Sequence, residues 1–360
     1  MAGSVIGTML VRRWAIARGF VDQPGHRKIH QKPIALGGGI VIFWITMGPV
    51  AAVEVLAVLF HRYGIPGCIP ESLVIHIPGL ASRAVLVLVL FLGAAAMHIL
   101  GLIDDRKHLG PWSKLVVQIG AAILLATAGE IRFDFFIPST SIKVVLSVLW
   151  MVVILNAFNF LDNMDGLSAG IAAICAGMIL TASYSSGQVF VSGLLVLLIG
   201  ALLGFLVFNF APAKIFMGDA GSLVVGLLIA VATIRTTYYQ EQTQSGPWFA
   251  AFMPVVVLAI PLYDFTSVVI LRLLQGKSPF VGDKQHFSHR LVNRGMTHRQ
   301  AVLTIYLATA GTGLGATFLN QVRPVGAVLV LLQTFLIVLI IAILERDPKK
   351  NTLLNREQAE

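Results

Sequence analysis

The chain has 360 residues, of which 57% are hydrophobic and 12% charged, with a mean hydropathy of +0.85 and a formal net charge of +9. A water-soluble domain carries about 25% charge, so this balance excludes a protein folded in water and reads as a polytopic membrane protein with no separate soluble domain. Two cysteines, Cys68 and Cys175, with no CxxC pair exclude a disulfide scaffold, a zinc site and a redox dithiol, and basic residues scattered between apolar runs favour anionic lipid and anionic substrate over nucleic acid.

Residues 1–11 read as the remnant of a helix too short to cross a bilayer, followed by Arg12 and Arg13 without a small-residue cleavage site. Either that helix is truncated or the true start lies upstream. Apolar runs then predict ten complete spans near 36–60, 83–103, 114–128, 142–161, 168–183, 188–210, 220–237, 248–271, 301–318 and 324–344. The expected fold class is therefore an all-α polytopic membrane protein. Residues 166–213 contain no Asp, Glu, Lys or Arg, and their length requires two helices with a turn at Tyr184–Gln188. Arg132 and Asp134 alternate with apolar residues in Ile131–Ile137, which predicts a short hairpin on the outer face. Residues 1–345 are expected to form one membrane domain and 346–360 a polar cytoplasmic tail.

Alternating spans place 20 of the 26 Lys and Arg on one side, which the positive-inside rule makes cytoplasmic. Seven of the 17 acidic residues, Asp22, Asp104, Asp105, Asp162, Asp165, Asp219 and Asp283, fall in the first five segments on that side, most of them near span ends. Asp104-Asp105 alone reads equally well as a solvated helix end. Polar residues recur at every third position through Asn156, Asn159, Asp162 and Asp165, forming a stripe that is costly beside lipid and favourable beside a cation or water. In Phe216-Met-Gly-Asp219-Ala-Gly-Ser222 the aspartate is either a helix N-cap or a hard oxygen ligand for Mg²⁺. Asp283-Lys-Gln-His286-Phe-Ser-His289-Arg290 lacks a third soft ligand for zinc, so its cations and donors suit phosphate, the alternative being a solvated basic loop. Carboxylates for Mg²⁺ beside Lys, Arg and His for anionic oxygens are the parts that phosphoryl transfer requires.

With these motifs in hand, the chain resembles the polyprenyl-phosphate N-acetylhexosamine-1-phosphate transferases. The resemblance rests on Asp22-Gln-Pro24 through His30 with Gly37-Gly38-Gly39, then GLIDD, NAFNFLDNMDGL, FMGDAGS, PLYD and the histidine loop, all in order. It is nearer to the branch that starts O-antigen, common-antigen and teichoic-acid assembly than to the phospho-MurNAc-pentapeptide translocase. It implies transfer of GlcNAc-1-phosphate, or another HexNAc-1-phosphate, from a UDP-sugar to undecaprenyl phosphate with release of UMP. It also implies a cytoplasmic active-site cleft in the bacterial inner membrane, and a homodimer. By the same resemblance Mg²⁺, with Mn²⁺ as a substitute, sits chiefly on Asp219, with Asp104 and Asp105 close by. Asn159, Asp162 and Asp165, with Asn156 on the same stripe, line the nucleotide pocket. Lys114 faces phosphate, and His286, His289 and Arg290 hold the diphosphate or sugar.

The catalytic set expected from this is Asp104, Asp105, Asp162, Asp165 and His286. Two departures stand out, because Ser288 replaces a usual histidine and Asn163 a usual glycine. Asp264, inside a span, is expected to act as a structural hydrogen-bonding residue. The competing readings are a lipid or ion transporter, disfavoured because the acids gather at span ends, and a catalytically dead scaffold.

Overall fold

The computed structural model describes residues 1–23, 33–67, 69–134, 137–236, 248–278 and 286–345. Residues 24–32 of the first motif, Cys68, Asp283 and the expected tail at 346–360 lie outside the described residues. The described chain is almost wholly helical. Helix α1 (Ala2–Ala17) is followed by the strands β1 (Val21–Asp22) and β2 (Ile34–Ala35), and then by α2 (Gly38–Tyr63), α3 (Glu71–Val74), α4 (Ile77–Ala81), α5 (Ala84–Lys107) and α6 (Pro111–Thr127). Next come α7 (Thr140–Leu161), α8 (Leu167–Ser185), α9 (Val189–Asn209) and α10 (Asp219–Arg235). A 3₁₀ turn (Trp248–Phe252) leads into α11 (Met253–Val257), α12 (Ala259–Leu274), α13 (Phe287–Asn293), α14 (His298–Thr317) and α15 (Pro324–Leu344).

All ten predicted apolar segments are helical, but they are not ten equivalent spans. Six helices, α2, α5, α7, α8, α9 and α15, are long and apolar enough to cross a bilayer. The segment 248–271 is broken between α11 and α12 by a 63° bend, and counting it as one span makes seven. The remaining three depart for visible reasons: α6 and α10 have 17 residues each, and α14 interrupts its apolar residues with threonine and glycine. The N-terminal helix runs through Arg12 and Arg13 to Ala17, beyond the expected limit at residue 11, because it packs between α2 and α9. The expected hairpin at 131–137 does not form among its described residues. Lys143 instead pairs with Asp134, and the two-stranded sheet lies at β1–β2 with Val21 opposite Ala35. The turn at Tyr184–Gln188 is found between α8 and α9.

Helix α10 is the axis of the bundle. Every residue from Ala220 to Ile234 is buried, as a helix apolar on all faces demands, and α7, α5, α2 and α8 surround it. Its N-terminus is approached very closely. A Cβ on Gly101 of α5 would lie 2.2 Å from the Ala220 nitrogen, and one on Gly39 of α2 would lie 2.3 Å from the Gly221 nitrogen. These contacts account for Gly101 of GLIDD and for Gly39 as backbone-approach positions, while Gly37 takes the left-handed conformation with φ +103°. By contrast α15 is the most apolar span and only 11% of its window is buried, the profile of a helix solvated by lipid. The chain is a multi-pass membrane protein.

Candidate active site

The polar motifs converge on one end of the bundle, at the start of α10. Its N-terminal amides have no cap from their own segment, since Gly218 occupies the capping position with φ +68°. Asp105, at the end of α5, supplies the cap from outside: one carboxylate oxygen accepts from the Asp219 N–H at 2.8 Å and the other from the Ala220 N–H at 3.3 Å. A Cβ on residue 218 would stand 2.5 Å from that carboxylate, which is why the motif carries glycine there. Asp219 is thus the first residue of the helix rather than its N-cap, and its side chain is free to face outward from the helix start.

Asp219 faces cationic and amide donors. Lys114, in the first turn of α6, reaches between two carboxylates, 2.7 Å from Asp219 and 2.9 Å from Asp104. The second Asp104 oxygen accepts from the Leu109 N–H at 2.6 Å, tying the turn after α5 to the same carboxylate. Asn159 donates to the other Asp219 oxygen at 2.9 Å and to Ser222 at 3.0 Å. Lys114 was expected to face phosphate; in the structure its ammonium bridges the Asp104 and Asp219 carboxylates.

The turn joining α7 to α8 holds Asp162 and Asp165. Burial, and then the negative charges of Asp219, Asp105 and Asp165, push the Asp162 carboxyl well above the usual range, while a backbone bond from Gly218 opposes this. Asp165 accepts from the Ala213 N–H at 2.8 Å. The turn is fixed by residues the sequence did not single out: Asn209 accepts from the Gly166 N–H at 3.1 Å and donates to the Ile215 carbonyl at 2.9 Å, and Tyr306 of α14 donates to the Gly166 carbonyl.

On the other side of that turn lies the histidine segment. Asp264, fully buried on α12, accepts from His286 Nδ1 at 2.9 Å and from the Phe287 N–H at 3.0 Å. The first bond orients the imidazole and the second caps α13. The His286 ring stands edge-on to Phe160, with 5.6 Å between centroids, and the buried Arg272 covers the same ring at 5.1 Å. Ser288 is fully buried and donates to the Asn163 side-chain oxygen at 2.7 Å.

The expected set is not brought together whole. Asp104, Asp105, Lys114, Asn159, Asp162 and Asp219 form one cluster, with Asp165 and His286 flanking it on the α7–α8 turn and beside Phe160. Asn156 faces elsewhere, donating to Gln118 of α6 at 2.7 Å across a helix interface. Arg290 is engaged by Glu345 at 2.8 Å and Ser267 at 2.9 Å, and the Tyr263 hydroxyl completes that network on Glu345 at 2.6 Å. His289 follows on α13, next to Arg290. No local pattern announced Tyr306, Asn209 or Glu345; each acts on a partner far away in sequence.

Among the described residues no three acidic or imidazole side chains converge tightly enough to hold a metal by themselves. The donor set nevertheless fits Mg²⁺, which is commonly held by one or two carboxylates and completed by water and substrate phosphate. Asp104 and Asp219 are hard oxygen donors that already share one cationic group, the Lys114 ammonium.

The sequence profile of glycosyl transferase family 4 matches residues 87–237, the stretch that carries α5 through the end of α10. A probable undecaprenyl-phosphate N-acetylglucosaminyl 1-phosphate transferase of Bacillus subtilis is 35% identical over 84% of this chain and 78% of its own. A decaprenyl-phosphate N-acetylglucosaminephosphotransferase of Mycobacterium tuberculosis is 34% identical over 85% and 77%, and an undecaprenyl-phosphate alpha-N-acetylglucosaminyl 1-phosphate transferase of Salmonella typhi is 28% identical over 92% and 86%. With its carboxylate motifs gathered at one helix start and relatives matched over most of their length, the chain belongs to glycosyl transferase family 4, among the polyprenyl-phosphate N-acetylhexosamine-1-phosphate transferases.

Proposed function

We propose that this protein transfers GlcNAc-1-phosphate from UDP-GlcNAc to undecaprenyl phosphate on the cytoplasmic face of a bacterial inner membrane, releasing UMP. One observation carries the reading: Asp104, Asp219, Lys114 and Asn159 share a single hydrogen-bonded cluster at the N-terminal end of a buried helix. A lipid phosphate anchored in the bilayer can reach such a position, and so can a nucleotide from water. In the reaction an oxygen of the lipid phosphate bonds to the β-phosphorus of the donor, the bond from that phosphorus to the bridging oxygen breaks, and UMP leaves with the electron pair. The product is a lipid diphosphate sugar.

Asp219 and Asp104 are the residues that would hold Mg²⁺, which when bound neutralises pyrophosphate charge. Lys114, once phosphate enters, exchanges carboxylate oxygens for phosphate oxygens without leaving its place. Asp105 holds the start of α10, so that Asp219 meets the substrate in a fixed orientation. His286, aligned by Asp264 through Nδ1, offers Nε2 to an anionic oxygen or a sugar hydroxyl. Lys114 and His286 thus face the diphosphate, and Asp104 and Asp219 would hold the Mg²⁺ that neutralises it.

The test is UMP release by purified protein with Mg²⁺, undecaprenyl phosphate and a panel of UDP-linked GlcNAc, GalNAc, FucNAc and QuiNAc. Release that needs the lipid phosphate and is fastest with UDP-GlcNAc supports the proposal. No release with any of these donors refutes it.

A further inference from the structure

Asn163 and Ser288 are in direct contact although 125 residues separate them. One N–H of the Asn163 amide donates to the Phe160 carbonyl at 2.6 Å, and its oxygen accepts from Ser288 at 2.7 Å. Ser288 has no exposed surface, while Asn163 is half-buried. What the bond joins is informative. Asn163 lies between Asp162 and Asp165 on the α7–α8 turn, and Ser288 lies between His286 and His289 at the start of α13. Of the other contacts of the histidine segment, Asp264 and Ser267 lie on α12 and Glu345 at the end of α15, while the His286 ring meets Phe160 near the end of α7.

We propose that Asn163 and Ser288 are a positioning pair that sets the spacing between the carboxylate turn and the histidine helix, and so the register in which the donor diphosphate is held for attack. The proposal rests on the function proposed above. The side-chain heavy atoms of asparagine and serine together equal in number those of one histidine, so glycine at 163 with histidine at 288 would fill about the same volume with the bulk moved across the contact. Such a swap preserves packing only when both members change together.

Five variants in UMP release test it: Ser288→Ala, Asn163→Ala, their double mutant, Ser288→His, and the exchange Asn163→Gly with Ser288→His. A pair that sets register acts on the attack step, so each alanine variant should lower kcat on the order of 10-fold while KM for UDP-GlcNAc stays within about threefold. The double alanine variant should be no worse than either single one, because the shared bond is lost once. The exchange should recover activity relative to Ser288→His alone. Additive losses in kcat, or losses confined to KM, overturn the proposal. Should the wild-type protein release no UMP with any donor, the proposed function falls separately, and the pair is judged on the thermal midpoint of the free protein, where additive losses overturn it and non-additive losses sustain it.

Discussion

Replacing Asp105 separates its part in building the site from any part in chemistry. Both carboxylate oxygens are occupied by the first two N–H groups of α10, at 2.8 and 3.3 Å, and the charge lies at the positive end of a helix buried along its whole length. Hydrogen bonds to a charged group contribute about 1.5–3 kcal/mol each. Asparagine can keep the shorter bond through its oxygen, but it turns an NH₂ toward the Ala220 N–H and loses the charge. Asp105→Asn should therefore cost about 1.5–3 kcal/mol and Asp105→Ala up to about twice that. Thermal unfolding of detergent-solubilised protein should show a midpoint lowered by several degrees in the first and further in the second. Asp219→Asn changes a side chain that accepts from Lys114 and Asn159 but caps nothing, so it should leave the midpoint much closer to wild type while weakening Mg²⁺-dependent activity more strongly. An Asp105→Asn protein with an unchanged midpoint, or one less stable by no more than Asp219→Asn, would refute the capping role.

Asp264→Ala leaves His286 Nδ1 and the Phe287 N–H without their acceptor, so kcat should fall at least about 10-fold; turnover equal to wild type contradicts that orientation. Gly101→Ala places a methyl group 2.2 Å from the Ala220 nitrogen, and should abolish folded protein or lower its midpoint more than Gly120→Ala, where nothing lies within 4 Å. Glu345→Gln weakens the attachment of α15 to Arg290 and Tyr263, and limited proteolysis should then cut near the end of α15 sooner than in wild type. Equal cleavage rates argue against that anchor.

Much of the architecture was legible in the sequence because burial in lipid is a matter of composition. The apolar runs and the charge-free stretch at 166–213 located every long helix and the α8–α9 turn. Composition could not separate a lipid-facing span from one enclosed by protein, and so α10, buried on all sides, was counted alongside α15, which is mostly bare. The strands β1 and β2 are two residues long and leave no periodic trace, whereas the alternation at 131–137 imitated a hairpin that the Asp134–Lys143 pair replaces. At the site, the aspartate motifs announced themselves because acids are costly in a membrane protein and these cluster at span ends. Their division of labour did not: nothing local says that Asp105 caps α10 while the adjacent Asp104 meets Lys114. The Asp264–His286 and Asn163–Ser288 bonds join helices distant in sequence, and the stripe that led to Asn159 also enrolled Asn156, which turns toward Gln118 instead.

The central claim is that phosphorus, not only sugar, moves to the lipid. The direct measurement incubates purified protein with Mg²⁺, undecaprenyl phosphate and UDP-GlcNAc labelled with ³²P at the β-phosphate, then separates lipid from water. The account predicts label in the lipid fraction, in equal amount to the UMP released, and none above background with Asp219→Ala. Label retained in water-soluble UDP while the sugar enters the lipid would contradict it.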